Sequence, residues 1–171
     1  MNSARRRRQS GGQALVESVF TVLPTFAIIC AFADFGLALF RWNTLQNAVR
    51  EGCRYAITFQ TQTGMGQDAS IQSVVEQYAF GFVKAADSPQ HIFVNYYSPA
   101  NLNTAINPPG GNSPGNVVTV SVQNVSWQWL APLSGSLAWG QAIRSTTAPT
   151  FAVYSADVLG AYPAGVSSVQ R

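Results

Sequence analysis

Glu17 is the residue whose position demands a chemical reason. It follows Gly12 by five places and stands at the threshold of a long apolar run. A carboxylate there is costly unless a partner or a function offsets it. A second acid, Asp34, lies near the far end of the same run. A bilayer core of about 20 helical residues can be framed so that one acid falls in the headgroup layer, though hardly both. Asp34 is therefore read as interfacial and Glu17 as functional. Elsewhere the chemistry is thin. The one histidine, His91, falls in a segment of strand formers, and Asp68, Glu76, Asp87 and Asp157 are scattered without a telling spacing. No HExxH, Walker loop, GxSxG or CxxC occurs. Cys30 and Cys53 would lie roughly 34 Å apart on one helix at about 1.5 Å per residue, whereas a disulfide needs Cα atoms within about 7 Å. Cys30 reads as a small apolar residue, and Cys53 as free or paired between chains. No enzyme, cofactor or metal site is expected.

The elements that must position Glu17 are written around it. Four arginines, Arg5 to Arg8, precede an almost uncharged stretch from Ala14 to Phe40 in which Glu17 and Asp34 are the only ionised side chains. That run is long enough to cross a bilayer core of about 30 Å. It continues past the length of a secretory signal and lacks a small-x-small cleavage site, so it reads as a retained anchor. The arginines favour a cytoplasmic N-terminus, and Arg41, Arg50 and Arg54 beyond the run weaken that asymmetry without reversing it. Pro24 should kink or loosen the helix near Phe20. Charged residues make up only 10% of the chain, and the net charge of +3 resides in the leader. Without residues 1–12, six basic residues face seven acidic ones, so a nucleic-acid surface is not expected.

The order of basic leader, Gly12-Gln13-Ala14-Leu15-Val16-Glu17 and apolar helix is that of a type IV prepilin-like signal. Beyond the run comes Arg41-Trp42-Asn43-Thr44-Leu45-Gln46-Asn47-Ala48-Val49-Arg50-Glu51-Gly52-Cys53-Arg54-Tyr55-Ala56. Together these segments resemble the TadE-like family, minor pilin-like components of the bacterial tight-adherence (Flp) pilus system. The likeness covers roughly Gly11 to Thr58, with Cys53 where a small residue such as alanine is usual. It implies cleavage by a prepilin peptidase between Gly12 and Gln13. It also implies that Glu17 takes the place of the pilin glutamate that pairs with the freed amino terminus of a neighbouring subunit. The partners implied are other pilins or pseudopilins, the inner-membrane assembly platform and membrane lipid.

Residues 41–58 read as a continuation of the helix. Leu45, Ala48, Val49, Gly52 and Ala56 form one stripe of mostly small residues, suited to packing on the chain's own head domain or on a partner. Arg50 and Arg54 lie on the polar side. In the head, Asp68 reads as an N-cap for a helix that keeps its spacing to about Lys84, and Ser88-Pro89 ends it. His91 to Tyr97 reads as a strand. Ser98 to Gly115 reads as a long exposed, mobile loop rich in proline and glycine. Asn116 to Val125 is the clearest strand, with Val118, Val120 and Val122 on one face. Trp127, Trp129 and the apolar stretch after them either fill the core, the preferred reading, or touch lipid or a partner. Ile143 to Tyr154 suggests a last strand, and Ser155 to Arg171 a loose tail.

The expected architecture is α+β and pilin-like. It has a leader (1–12), a transmembrane and amphipathic helix (13–58), and an outer domain (59–171) of one helix and a three- or four-stranded antiparallel sheet. The expected protein is a minor pseudopilin of an Flp pilus, serving adherence, colonisation or biofilm formation. It would pass once through the bacterial inner membrane with its C-terminal domain outside. The alternative is an uncleaved single-pass binding or envelope protein.

Overall fold

A sequence whose only glycine or proline punctuation between Ala14 and Ala56 is Pro24, Gly36 and Gly52 has every local reason to stay helical. In the computed structural model helix α1 spans Ser3–Ala56 and runs through Pro24. The structure describes the backbone of residues 3–83, 88–126 and 150–171, and the side chains of 12–83, 90–126 and 150–171. Two compact units are distinguished, one ending at Ala38 and the other taking the described residues from Leu39 onward.

In the first unit, Leu15, Phe20, Leu23, Phe26, Ile29 and Phe32 are all exposed. Large apolar side chains left exposed along this much of a helix suit hydrocarbon rather than water. Among the described residues it is the one helix long and apolar enough to cross a membrane. The hydroxyls of Ser18, Thr21 and Thr25 donate back to Ala14 O, Glu17 O and Thr21 O at 2.8, 3.1 and 2.7 Å. Each polar side chain is thereby satisfied within its own helix.

In the second unit the character of α1 changes. Leu45, Ala48, Val49, Cys53 and Ala56 are buried, so the small-residue stripe packs on the chain's own head. Gly52 is required by that packing. An added Cβ would stand 2.5 Å from Val75 Cγ2. Helix α2, Gln67–Tyr78, supplies Val75 and Ile71. Its N-cap is Gly66, not Asp68, which lies in the first turn. It also ends at Tyr78, short of Lys84, with Phe80 and Gly81 turning into the left-handed region. A four-residue helix, α3, Ser88–His91, follows, so His91 closes a helix and does not open a strand.

The sheet is antiparallel with strands in the order β2-β1-β3-β4. Strand β1 is Ile92–Ser98, β2 Asn101–Ala105, β3 Val117–Ser126 and β4 Thr150–Val158. Val118, Val120 and Val122 are buried, as their alternation requires. The four strands and α2 on a long helix are the expected α+β arrangement. Two expectations fail. The 98–115 segment is no bare loop, because β2 pairs with β1 inside it and Asn112 is buried. The 155–171 segment is not loose either. Its first part completes β4, Leu159 is buried, and Tyr162 stacks on Phe59 with ring centroids 4.5 Å apart.

Candidate functional site

The structure separates the sequence-derived site residues into a surface set and a packed set. Gly12, Gln13 and Glu17 are exposed on α1. Nothing lies within 4 Å of where a Gly12 side chain would begin. A protease that needs an extended peptide would have to unwind the helix here, and Gly12 lowers that cost because glycine is a poor helix former. Glu17 follows on the same helix among exposed Leu15, Val16, Val19 and Phe20. Its carboxylate is thus presented on an apolar surface.

Asp34 behaves differently. At 3% exposure it is buried, the only residue so classed between Gly12 and Phe40. Arg50 and Arg54 are exposed, and Arg54 meets Glu51 at 3.3 Å. A solvent-facing pair of this kind adds little stability. Trp127 and Trp129 lie outside the described residues.

Cys53 is buried in the head core and its thiol donates to Ser155 O at 3.2 Å. A buried, hydrogen-bonded thiol is not positioned to pair with another chain. The substitution of cysteine for a small residue on this face is tolerated because the stripe needs only a compact apolar group.

Sequence reasoning missed the polar cluster that closes the head. Arg171 Nε donates to Asp68 Oδ2 at 2.7 Å, and Tyr96 Oη donates to Asp68 Oδ1 at 2.8 Å. The guanidinium also donates to Ile106 O at 3.1 Å and Gly110 O at 2.7 Å, and its Cζ lies 4.5 Å from the Tyr96 ring centroid. Gly111, with φ 102°, lets backbone pass against Tyr96, where a Cβ would approach the tyrosine Cβ to 2.9 Å. Burial, followed by the Asp68 charge, pushes the Tyr96 phenol well above its ordinary value. Beside this cluster Gln67 is fully buried. Its amide donates to Ala56 O at 3.1 Å and accepts from Asn112 Nδ2 at 2.9 Å. An end carbonyl of α1 thus finds a partner. These groups satisfy one another's donors and acceptors and tie the C-terminal segment to α2 and β1. Among the described residues no group of three or more His, Cys, Asp or Glu is placed to hold a metal ion.

Residues 12–54 match the family model described as TadE-like protein. The match begins at Gly12, takes in Glu17, Asp34 and the buried stripe, and ends within the 41–56 segment. It covers about a quarter of the chain and associates that part with the Tad pilus system. No curated protein and no solved structure matches the chain.

Proposed function

We propose that this chain, TadE-like over residues 12–54, is a minor pseudopilin that takes part in assembling a Tad pilus. A prepilin peptidase cuts between Gly12 and Gln13, and the freed chain stays in the inner membrane through residues 14–40 with its head outside. Glu17, then the fifth residue, pairs with the amino terminus of a neighbouring pilin or pseudopilin and sets the register of insertion. The observation that carries this reading is the coincidence of the family match with an exposed Gly12 and an exposed carboxylate on an apolar helix. A carboxylate on a lipid-facing apolar helix is costly even near its end, and a neighbouring ammonium offsets that cost.

The test is the amino terminus of the protein purified from membranes of its native host, read by intact mass. A chain beginning at Gln13 is expected. Isoelectric focusing gives a parallel readout, because loss of Arg5 to Arg8 takes the net charge from +3 to −1 and the isoelectric point from about 9.1 to the acidic side. Retention of the arginines in cells with an active prepilin peptidase would overturn the reading in favour of an uncleaved anchored module.

A further inference from the structure

Helix α2 runs antiparallel to the stretch of α1 that it covers. At its start, the Gln67 amide meets Ala56 O. Further on, Ile71 and Val75 face Gly52. Beyond its end, Phe82 reaches Phe40 edge to face, with ring centroids 6.0 Å apart, and Arg41 Cζ lies 4.9 Å from the same Phe82 ring. This path touches α1 at residues 56, 52 and 40 in turn. From Ala56 to Phe40, α1 extends roughly 24 Å at about 1.5 Å per residue. The turn after α2 is therefore level with Phe40, the last residue of the apolar run that begins at Ala14.

For an exposed turn its composition is unusual. Tyr78 is 40% and Phe80 78% exposed, while Ala79 between them is buried. Phe80 has φ 51° directly after the Ala79 C-cap. Glycine is the usual residue at such a left-handed helix end, because a bulky side chain is disfavoured there. The head thus holds a large apolar ring away from its own core in an unfavourable backbone conformation. Phe40 and Trp42 on α1 are exposed at the same level.

We propose that the turn Tyr78–Phe82 is a second membrane contact. Phe80 enters the boundary between headgroups and acyl chains beside Phe40, with Tyr78, Trp42 and Arg41 in the interfacial layer. This rests on the reading that residues 14–40 cross the bilayer. Continuity with that span selects lipid as the occupant, since the turn is joined by ring contact to its outer end. Aromatic rings favour that depth, and an arginine there can lay its stem on apolar groups and keep its charge in the headgroups. One ring adds little to the affinity of a chain already anchored by a helix. Its effect is to fix the orientation of the head against the membrane.

Site-directed spin labelling of the full chain in phosphatidylcholine/phosphatidylglycerol vesicles tests this. Phe80→Cys, Phe26→Cys in the span and Leu102→Cys on exposed β2 are each made in a Cys30→Ala background, with buried Cys53 retained. Collision with oxygen, which concentrates in lipid, is compared with collision with a water-soluble nickel chelate. The oxygen-to-nickel ratio is expected to be severalfold higher at Phe80 and Phe26 than at Leu102. A lipid-like Phe26 with Phe80 as water-exposed as Leu102 would overturn the proposal. Suppression of both collisions at Phe80 would also overturn it, since a protein or a second copy would then cover the turn. A water-exposed Phe26 would sink the membrane span itself and this contact with it.

Discussion

Arg171 commits its whole guanidinium to the head, to Asp68, to the carbonyls of Ile106 and Gly110, and to the face of Tyr96. Its side chain is only 7% exposed and that of Asp68 26%. Removing the arginine leaves a half-buried carboxylate and two carbonyls short of donors. Arg171→Ala should therefore destabilise the head by about 2–3 kcal/mol, measured by urea unfolding of the full chain in detergent micelles. Arg171→Lys should recover only part of this, because an ammonium cannot reproduce the planar fork. Tyr96 gives a pH dependence with a definite sign. Its phenol is held above the ordinary tyrosine value of about 10 mainly by burial, so folding favours the protonated form. The stability it contributes is complete below pH of about 10 and is lost as the pH rises through the folded value. Ultraviolet titration should show the Tyr96 phenol ionising above the ordinary tyrosine range, and urea resistance should fall in the same alkaline range.

Among the elements, the turn after α2 carries an internal conflict that substitution can expose. Phe80 occupies a left-handed position that costs a bulky residue about 1–2 kcal/mol. Phe80→Gly should raise the unfolding free energy of the micelle-solubilised protein by about 1 kcal/mol, although it deletes a large apolar group. A loss of stability in the same urea experiment would mean that the ring packs in the core after all. The elements legible in the sequence were those whose signals are local. The unbroken apolar run gave α1, the alternation of Val118, Val120 and Val122 gave β3, and Ile71, Val74 and Val75 gave the start of α2. Those missed depend on partners far along the chain. Strand β2 is polar and exposed, without apolar alternation to mark it. Asp68 reads as a helix cap until Arg171, 103 residues away, is seen to hold it. The proposed processing and register residues rest on a local signal, the spacing of Gly12 and Glu17, whereas nothing local marked Asp34 for burial.

For the whole molecule, the proposed division of labour is between a helix that seeks neighbours and a head that is closed on itself. The stripe at Leu45, Ala48, Val49 and Cys53 is used up by the head, which leaves the first unit's apolar surface and Glu17 for assembly. Glu17→Ala in the native host should leave insertion, cleavage and head stability intact while sharply reducing pilus assembly, scored by microscopy and surface adherence. Breaking an ion pair within lipid costs about 3–5 kcal/mol, well beyond the roughly 1.4 kcal/mol of a tenfold change. Unchanged assembly would remove the register role from Glu17 and leave the anchor reading standing.

The Arg171 contacts also set a clock on biogenesis. Chains emerge from the ribosome at about 5–20 residues per second, so Arg171 follows Asp68 by roughly 5–20 s. Tyr96 follows Asp68 by 28 residues and its hydroxyl can then reach the acid, but the guanidinium that neutralises it has not been made. Until then the Asp68 charge has no guanidinium beside it. A chain that stalls before Arg171 should therefore be cut by proteases in the head more readily than one that includes it.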